Sequence, residues 1–101
     1  MPEIPQISAK ELKNRLDAGE EIFILDVREP AEYQAANMGG KLIPLNSLPL
    51  RLNELDRERE IVVHCHAGVR SQNAAEFLLQ NGFAKVANLS GGILAWGAVQ
   101  S

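Results

Sequence analysis

Cys65 is the only cysteine of the chain, and it falls where an apolar run gives way to a glycine loop and then to a helical pattern. The stretch reads Ile61-Val62-Val63-His64-Cys65-His66-Ala67-Gly68-Val69-Arg70-Ser71. A strand that ends at a thiol, followed by a loop that opens a helix, aims backbone N–H groups and the positive end of a helix dipole at one sulfur atom. A thiol so placed ionises below the roughly 8.5 of a free cysteine. The thiolate is the nucleophile, so the placement predicts covalent chemistry at Cys65. A lone cysteine otherwise reads as a small buried hydrophobe. The strand end, the glycine, the arginine five positions on and the helix start together favour the reactive reading.

The elements that must position this thiol alternate between apolar runs and helical patterns, the signature of an α/β fold. Ser8-Ala9-Lys10-Glu11 is a capping box that starts a helix, with Leu12 and Leu16 on its apolar face and Gly19 at its end. Ile22-Phe23-Ile24-Leu25 reads as a strand buried on both faces. Pro30 suits the first turn of a short helix running towards Ala36. Gly39-Gly40 precede Lys41-Leu42-Ile43-Pro44, a short edge strand, and Leu48, Leu52 and Leu55 are spaced for another helix. Ile61 to His64 is the clearest strand. Ala74, Ala75, Leu78 and Leu79 share one helical face that Gly82 terminates. Lys85 to Leu89 reads as a last strand, and Gly91-Gly92 lead into a helix with Ile93, Leu94 and Trp96. Ligands of open parallel sheets bind beyond the carboxyl ends of the strands. Asp26-Val27-Arg28-Glu29, the Cys65 loop and Ser90-Gly91-Gly92 should gather there.

With 101 residues, no repeat and no linker, the chain is expected to be one domain spanning 1–101. A net charge of −3 without a lysine or arginine cluster argues against nucleic acid or an anionic membrane as partner. No run approaches the ~18 apolar residues of a membrane helix, and the N-terminus lacks a basic segment followed by an apolar one. A free reactive thiol suits a reducing compartment, so a cytoplasmic location is the default. His64, Cys65 and His66 are adjacent and lack structural zinc spacing, so no metal is expected.

Three motifs in order resemble those of rhodanese domains, the sulfurtransferase module, over nearly the whole chain. Asp26-Val27-Arg28-Glu29-Pro30-Ala31-Glu32-Tyr33 is similar to the family's Asp-Val-Arg-x-x-x-Glu-Tyr signature. Cys65 to Ser71 is similar to its Cys-x-x-Gly-x-Arg-Ser active-site loop. Asn88-Leu89-Ser90-Gly91-Gly92-Ile93-Leu94-Ala95-Trp96 is similar to its Gly-Gly-x-x-x-Trp ending. The wording of Gly40-Lys41-Leu42-Ile43-Pro44-Leu45 and of Gly91 to Trp96 is closest to rhodanese domains fused to adenylating enzymes of the molybdopterin and thiamine pathways. The chain departs from the family at Asn37-Met38-Gly39-Gly40-Lys41, where His-Ile-Pro-Gly-Ala is common, which leaves the local turn open.

The resemblance implies a central, mostly parallel five-stranded sheet with helices on both faces. It also implies a ping-pong sulfur transfer. The Cys65 thiolate takes sulfane sulfur from a small anionic donor such as thiosulfate and becomes a persulfide, with no further cofactor. A second thiophile then removes the sulfur: cyanide in the assay, a thiol or carrier protein in the cell. Loop amides contributed by His66, Ala67, Gly68, Val69, Arg70 and Ser71 would stabilise the charged outer sulfur as an oxyanion hole does. Family precedent pairs Arg70 with Asp26 to brace the loop.

Other readings of these residues stay open at this stage. Asp26 is alternatively a turn former, Arg28 either attracts the anionic donor or is a surface charge, and Ser71 caps the helix or donates to the sulfur. His66 is an exposed loop residue or favours an anionic donor. His64, Trp96 and Tyr33 read as structural residues. The rival enzyme class is a cysteine-dependent phosphatase or arsenate reductase, whose loop has one residue more between cysteine and arginine. The four residues here make a narrower cradle, fitted to one sulfur. A non-catalytic partner-binding rhodanese module is the other rival, and such modules often lack the cysteine that this chain keeps.

Overall fold

The computed structural model describes residues 3–100. Met1, Pro2 and Ser101, the ends of the expected 1–101 domain, lie outside the described residues. The elements run β1 (Gln6–Ile7), α1 (Ala9–Asp17), β2 (Phe23–Asp26), α2 (Pro30–Ala35), β3 (Lys41–Leu42), two 3-10 turns (Leu45–Leu50 and Leu52–Glu54), β4 (Ile61–His64), α3 (Val69–Gln80), β5 (Val86–Leu89) and α4 (Gly92–Gln100). The five strands form one sheet in the order β1-β5-β4-β2-β3, and every neighbouring pair is parallel.

Central strand β4 shows why its sequence is continuously apolar. Side chains alternate between faces along a strand, and here both faces are covered. Ile61 and Val63 enter a core that also holds Leu25, Ala74, Ala75, Leu78 and Phe83 beneath α3. Val62 enters a second core with Ile7, Leu12 and Leu89, against which Trp96 and Val99 of α4 pack. Thus α1 and α4 cover one face, and α3 with the 3-10 turns covers the other.

Ser8 caps α1 by accepting the Glu11 amide at 3.1 Å, as the capping box predicts. The helix expected from Leu48, Leu52 and Leu55 is instead the pair of 3-10 turns. Pro49 lies inside the first turn and has no N–H to offer an α-helical bond. The bonds that form span three residues, Arg51 N to Leu48 O and Leu55 N to Leu52 O. The leucine spacing still places Leu48 and Leu55 in the core. Strand β1 is too short to show an alternating pattern, but Ile7 pairs with Leu89 and closes the sheet edge beside β5.

The departure at residues 37–41 makes a turn of its own. Asn37 Oδ1 accepts the Gly39 amide at 2.9 Å, its Nδ2 donates to Tyr33 O at 3.0 Å, and Gly39 takes φ 84°. Gly40 passes so close to β2 that a Cβ there would meet Ile24 O at 2.7 Å. The Tyr33 hydroxyl donates to Gly40 O at 2.8 Å and ties α2 to this turn. Among the described residues no helix is long and apolar enough to cross a membrane.

Candidate active site

Parallel register aligns the strand ends. Asp26 pairs with His64 across β2 and β4, so the segments that follow leave the sheet on the same side as the Cys65 loop. Cys65 follows the last residue of β4 and is 1 % exposed. Gly68 then takes φ 115°, a left-handed conformation that favours glycine, and serves as the N-cap of α3. This turn brings the Gly68 amide to 3.1 Å from the Cys65 sulfur. Ser71, fully buried on the first turn of α3, donates its hydroxyl to the same sulfur at 3.3 Å. Burial pushes the Cys65 thiol up. The Ser71 hydroxyl and the amides of Ser71, Gly68 and Ala67 outweigh that and hold it below the ordinary thiol range.

The Gly91-Gly92 pair explains how the loop frees amides for the sulfur. The first amides of α4 bind loop carbonyls, Ile93 N to Cys65 O at 3.0 Å and Leu94 N to His66 O at 3.3 Å. A Cβ on Gly92 would lie 2.6 Å from Cys65 O and would also collide with His66 O. Only glycine allows α4 to approach closely enough to occupy these carbonyls.

The expected pairing of Arg70 with Asp26 is not the one the chain makes. Arg70 forks onto Glu32 of α2, Nη1 to Oε1 at 2.7 Å and Nη2 to Oε2 at 2.8 Å. Glu32 Oε1 also accepts the Glu29 amide at 3.0 Å, so one carboxylate caps α2 and clamps the start of α3. Asp26 is instead held by Arg28, which donates Nε to both carboxylate oxygens at 3.0 and 3.1 Å and Nη2 to Oδ2 at 2.8 Å. Arg28 is therefore neither a surface charge nor a free lure for anions: it is 3 % exposed and fully engaged beneath the site. The geometric reason is reach. Arg28 lies two residues from Asp26 on the same strand exit, whereas Arg70 points outward to α2.

Hydrogen bonding to Arg70, and then to the Glu29 amide, lowers the Glu32 carboxyl from its ordinary 4.5 to about 2. A carboxylate with a depressed folded pKa stabilises the fold above its unfolded value, and that stability is lost as pH falls. Both side chains are about one-third exposed, so the pair contributes about 1 kcal/mol or less. The melting-temperature advantage of the wild type over Glu32→Gln should be full above pH 4.5 and shrink towards pH 2. A difference that stays flat across that range would show that the pair does not titrate as described.

His64 is fully buried, with Nδ1 3.3 Å from Cys65 O and Nε2 3.6 Å from Asp26 Oδ2. Burial lowers its pKa against the pull of Asp26, which keeps the ring neutral and structural. His66 is exposed and lines an open cleft of about 840 Å³ with Arg28, Glu32, Met38, Leu94 and Trp96. Val69, next to the arginine of the loop, is 75 % exposed, and Leu94 on the facing helix is 58 % exposed. Among the described residues no cluster of His, Cys, Asp or Glu could hold a metal ion.

Glu32 and Asn88 are site residues that the sequence reading left without a role. Asn88 is 4 % exposed on β5, and its side-chain oxygen lies 2.5 Å from the Ser71 hydroxyl. Both sit inside the quoted motifs, Glu32 in Asp26–Tyr33 and Asn88 at the head of Asn88–Trp96.

The parallel sheet thus delivers one buried cysteine from the end of its central strand into a loop whose Gly68 amide and Ser71 hydroxyl face the sulfur. The rhodanese-like domain model matches residues 8–99, and the chain belongs to that family. It is 35 % identical over 94 residues to a sulfurtransferase of Allochromatium vinosum, covering 92 % of this chain and 88 % of that one. It is 43 % identical over 94 residues to the putative sulfur carrier protein YrkF of Bacillus subtilis, covering 92 % of this chain but 51 % of that protein. Its rhodanese-type sequence also matches MoeZ of Mycobacterium tuberculosis, a probable adenylyltransferase/sulfurtransferase, at 36 % identity over 24 % of that protein. A crystal structure of a rhodanese-like domain protein from Staphylococcus aureus superposes with a TM-score of 0.87 at 35 % identity, covering 93 % of this chain and 92 % of that one.

Proposed function

We propose that the chain is a sulfurtransferase of the thiosulfate type that carries sulfane sulfur as a persulfide on Cys65. The observation that carries this reading is the cradle: one buried thiol facing the Gly68 amide and the Ser71 hydroxyl, and held below its ordinary pKa. In the first half-reaction the Cys65 thiolate attacks the outer sulfur of thiosulfate. The sulfur–sulfur bond of the donor breaks, sulfite leaves with the electron pair, and the outer persulfide sulfur takes the negative charge. In the second half-reaction a thiophile attacks that outer sulfur and the Cys65 thiolate is regenerated. Splitting the transfer in two is the logic of nucleophilic catalysis, and fixed amide dipoles around the charged sulfur supply the electrostatic part.

The phosphatase reading loses further ground here. Both Nη groups of Arg70 are committed to Glu32, so an anion in the loop would have to compete with that carboxylate for them. The cleft is lined by His66, the neighbour of Cys65 in the chain, and not by Cys65 itself; its size, far larger than thiosulfate requires, supports an acceptor with a sizeable body, either an organic thiol or a segment of a carrier protein. Relatives described as a putative sulfur carrier protein, YrkF, and a probable adenylyltransferase/sulfurtransferase, MoeZ, point the same way. A free thiol suits the reducing cytoplasm as the setting.

Intact-protein mass spectrometry tests the proposal. Incubation with thiosulfate should add the mass of one sulfur atom, and cyanide should remove it with release of thiocyanate. An unchanged mass, with thiocyanate forming no faster than in buffer, would exclude thiosulfate as donor. Turnover of an aryl phosphate that depends on Cys65 would revive the phosphatase reading.

A further inference from the structure

Ser71 faces two acceptors with one proton. Its hydroxyl oxygen lies 3.3 Å from the Cys65 sulfur and 2.5 Å from Asn88 Oδ1. A serine hydroxyl donates once, so it cannot serve both at the same time. The orientation of the Asn88 amide follows from its neighbours. Its Nδ2 lies 3.3 Å from the carbonyl oxygen of Gly68, which can only accept, so the oxygen end faces Ser71. Contacts at 3.1 Å to the side chains of Gln6 on β1 and Gln72 on α3 hold the same orientation.

We propose that Asn88 competes with the Cys65 sulfur for the Ser71 proton and is thereby a positioning residue for sulfur transfer. When the sulfur bears charge, before it attacks and again as it leaves the persulfide, the Ser71 O–H turns to it. Asn88 Oδ1 then loses this donor in a site that is only 4 % exposed, and a buried acceptor without its donor is costly. When the sulfur is bonded to a second sulfur and uncharged, the O–H turns back to Asn88. No proton leaves the oxygen in either direction; only the O–H bond reorients. The competition keeps the thiolate less stabilised than Ser71 alone would make it. This favours attack, because thiolate nucleophilicity falls as the thiol becomes more acidic.

The meaning for turnover rests on Cys65 being the sulfur carrier, but the test needs no sulfur donor, so the two readings fail separately. Cys65 ionisation is followed by thiolate ultraviolet absorbance and by the pH dependence of iodoacetamide alkylation. Arg70 on α3 interacts through space with the sulfur, and His64 and His66 flank Cys65 in the chain. All three stay unchanged in the variants. Asn88→Leu should lower the ionisation midpoint by about one unit, the worth of one hydrogen bond to a charged group. Asn88→Asp, a stronger acceptor that also adds negative charge, should raise it. In a Ser71→Ala background Asn88→Leu should change nothing. A folded Asn88→Leu protein with an unmoved midpoint, or with the same shift when Ser71 is absent, would overturn the proposal. The wild type supplies a readout that survives any folding failure. The side-chain carbonyl carbon of Asn88 should shift in NMR with the same midpoint as Cys65, and a flat trace would equally overturn the proposal.

Discussion

Cys65→Ser is expected to reduce thiocyanate formation to the rate in buffer and to abolish the mass gain on incubation with thiosulfate. The substitution keeps the cradle and removes only the proposed nucleophile. The Gly68 amide and the Ser71 hydroxyl would still face position 65, but a serine hydroxyl is far less acidic and less polarisable than a thiol and forms no persulfide. Removing a covalent nucleophile typically costs far more than any positioning residue, so the loss should be at least on the order of 10³-fold. Stability should fall by about 1–2 kcal/mol, because the hydroxyl is buried in an apolar cluster but keeps the Gly68 amide as a donor. Activity and fold are therefore read separately, by cyanide assay and by thermal melting. The chain has no second cysteine to substitute. A Cys65→Ser protein with activity within tenfold of the wild type would rule out a cysteine persulfide as the carrier.

The ability to foresee the site followed the range of the interactions that build it. The thiol at the end of Ile61–His64, the glycine of the loop and a helix opening near Arg70-Ser71 are local features legible in consecutive residues; the structure starts the helix at Val69 and adds the left-handed turn at Gly68. The same holds for the Ser8 cap and for the strand read at Ile22 to Leu25, which forms one residue later at Phe23–Asp26. What stayed hidden was the choice of partners across long separations. Arg70 finds Glu32 from 38 residues away, and Ser71 finds Asn88 from 17. Nothing in spacing reveals which of several acidic residues an arginine reaches, since that depends on how α2 docks against the end of β2. The 3-10 turns at 45–54 are not legible for a different reason: apolar spacing reports the buried face, while Pro49 decides the backbone hydrogen bonding on which that face is built. Strand β1 was invisible because two residues carry no period.

The largest stability effect should come from Asp26→Ala. Asp26 and Arg28 are 0 and 3 % exposed, and the pair is joined by three side-chain contacts of 2.8 to 3.1 Å plus the Arg28 amide to Oδ1 at 2.9 Å. Removing the carboxylate leaves a guanidinium buried with only carbonyl partners, Ala36 O at 2.7 Å and Glu32 O at 3.4 Å. Breaking a buried pair in this way costs about 3–5 kcal/mol, a large share of the 5–15 kcal/mol that typically holds a domain together. In a domain of this size that corresponds to a fall in melting temperature on the order of 15–30 °C. Activity should fall with it, through a chain of contacts. Arg28 pins the end of α2, α2 presents Glu32, and Glu32 clamps Arg70 at the start of α3, next to the Cys65 loop. The partly exposed Glu32–Arg70 pair alone does not set the stability; the buried pair beneath it does. The discriminating variant is the double replacement Asp26→Leu with Arg28→Met, which removes both charges together. A buried ion pair replaced by apolar groups of similar size is often neutral or better, so the double variant should melt well above Asp26→Ala. If it melts lower, the guanidinium is not the source of the penalty, and Asp26 matters through its backbone turn instead.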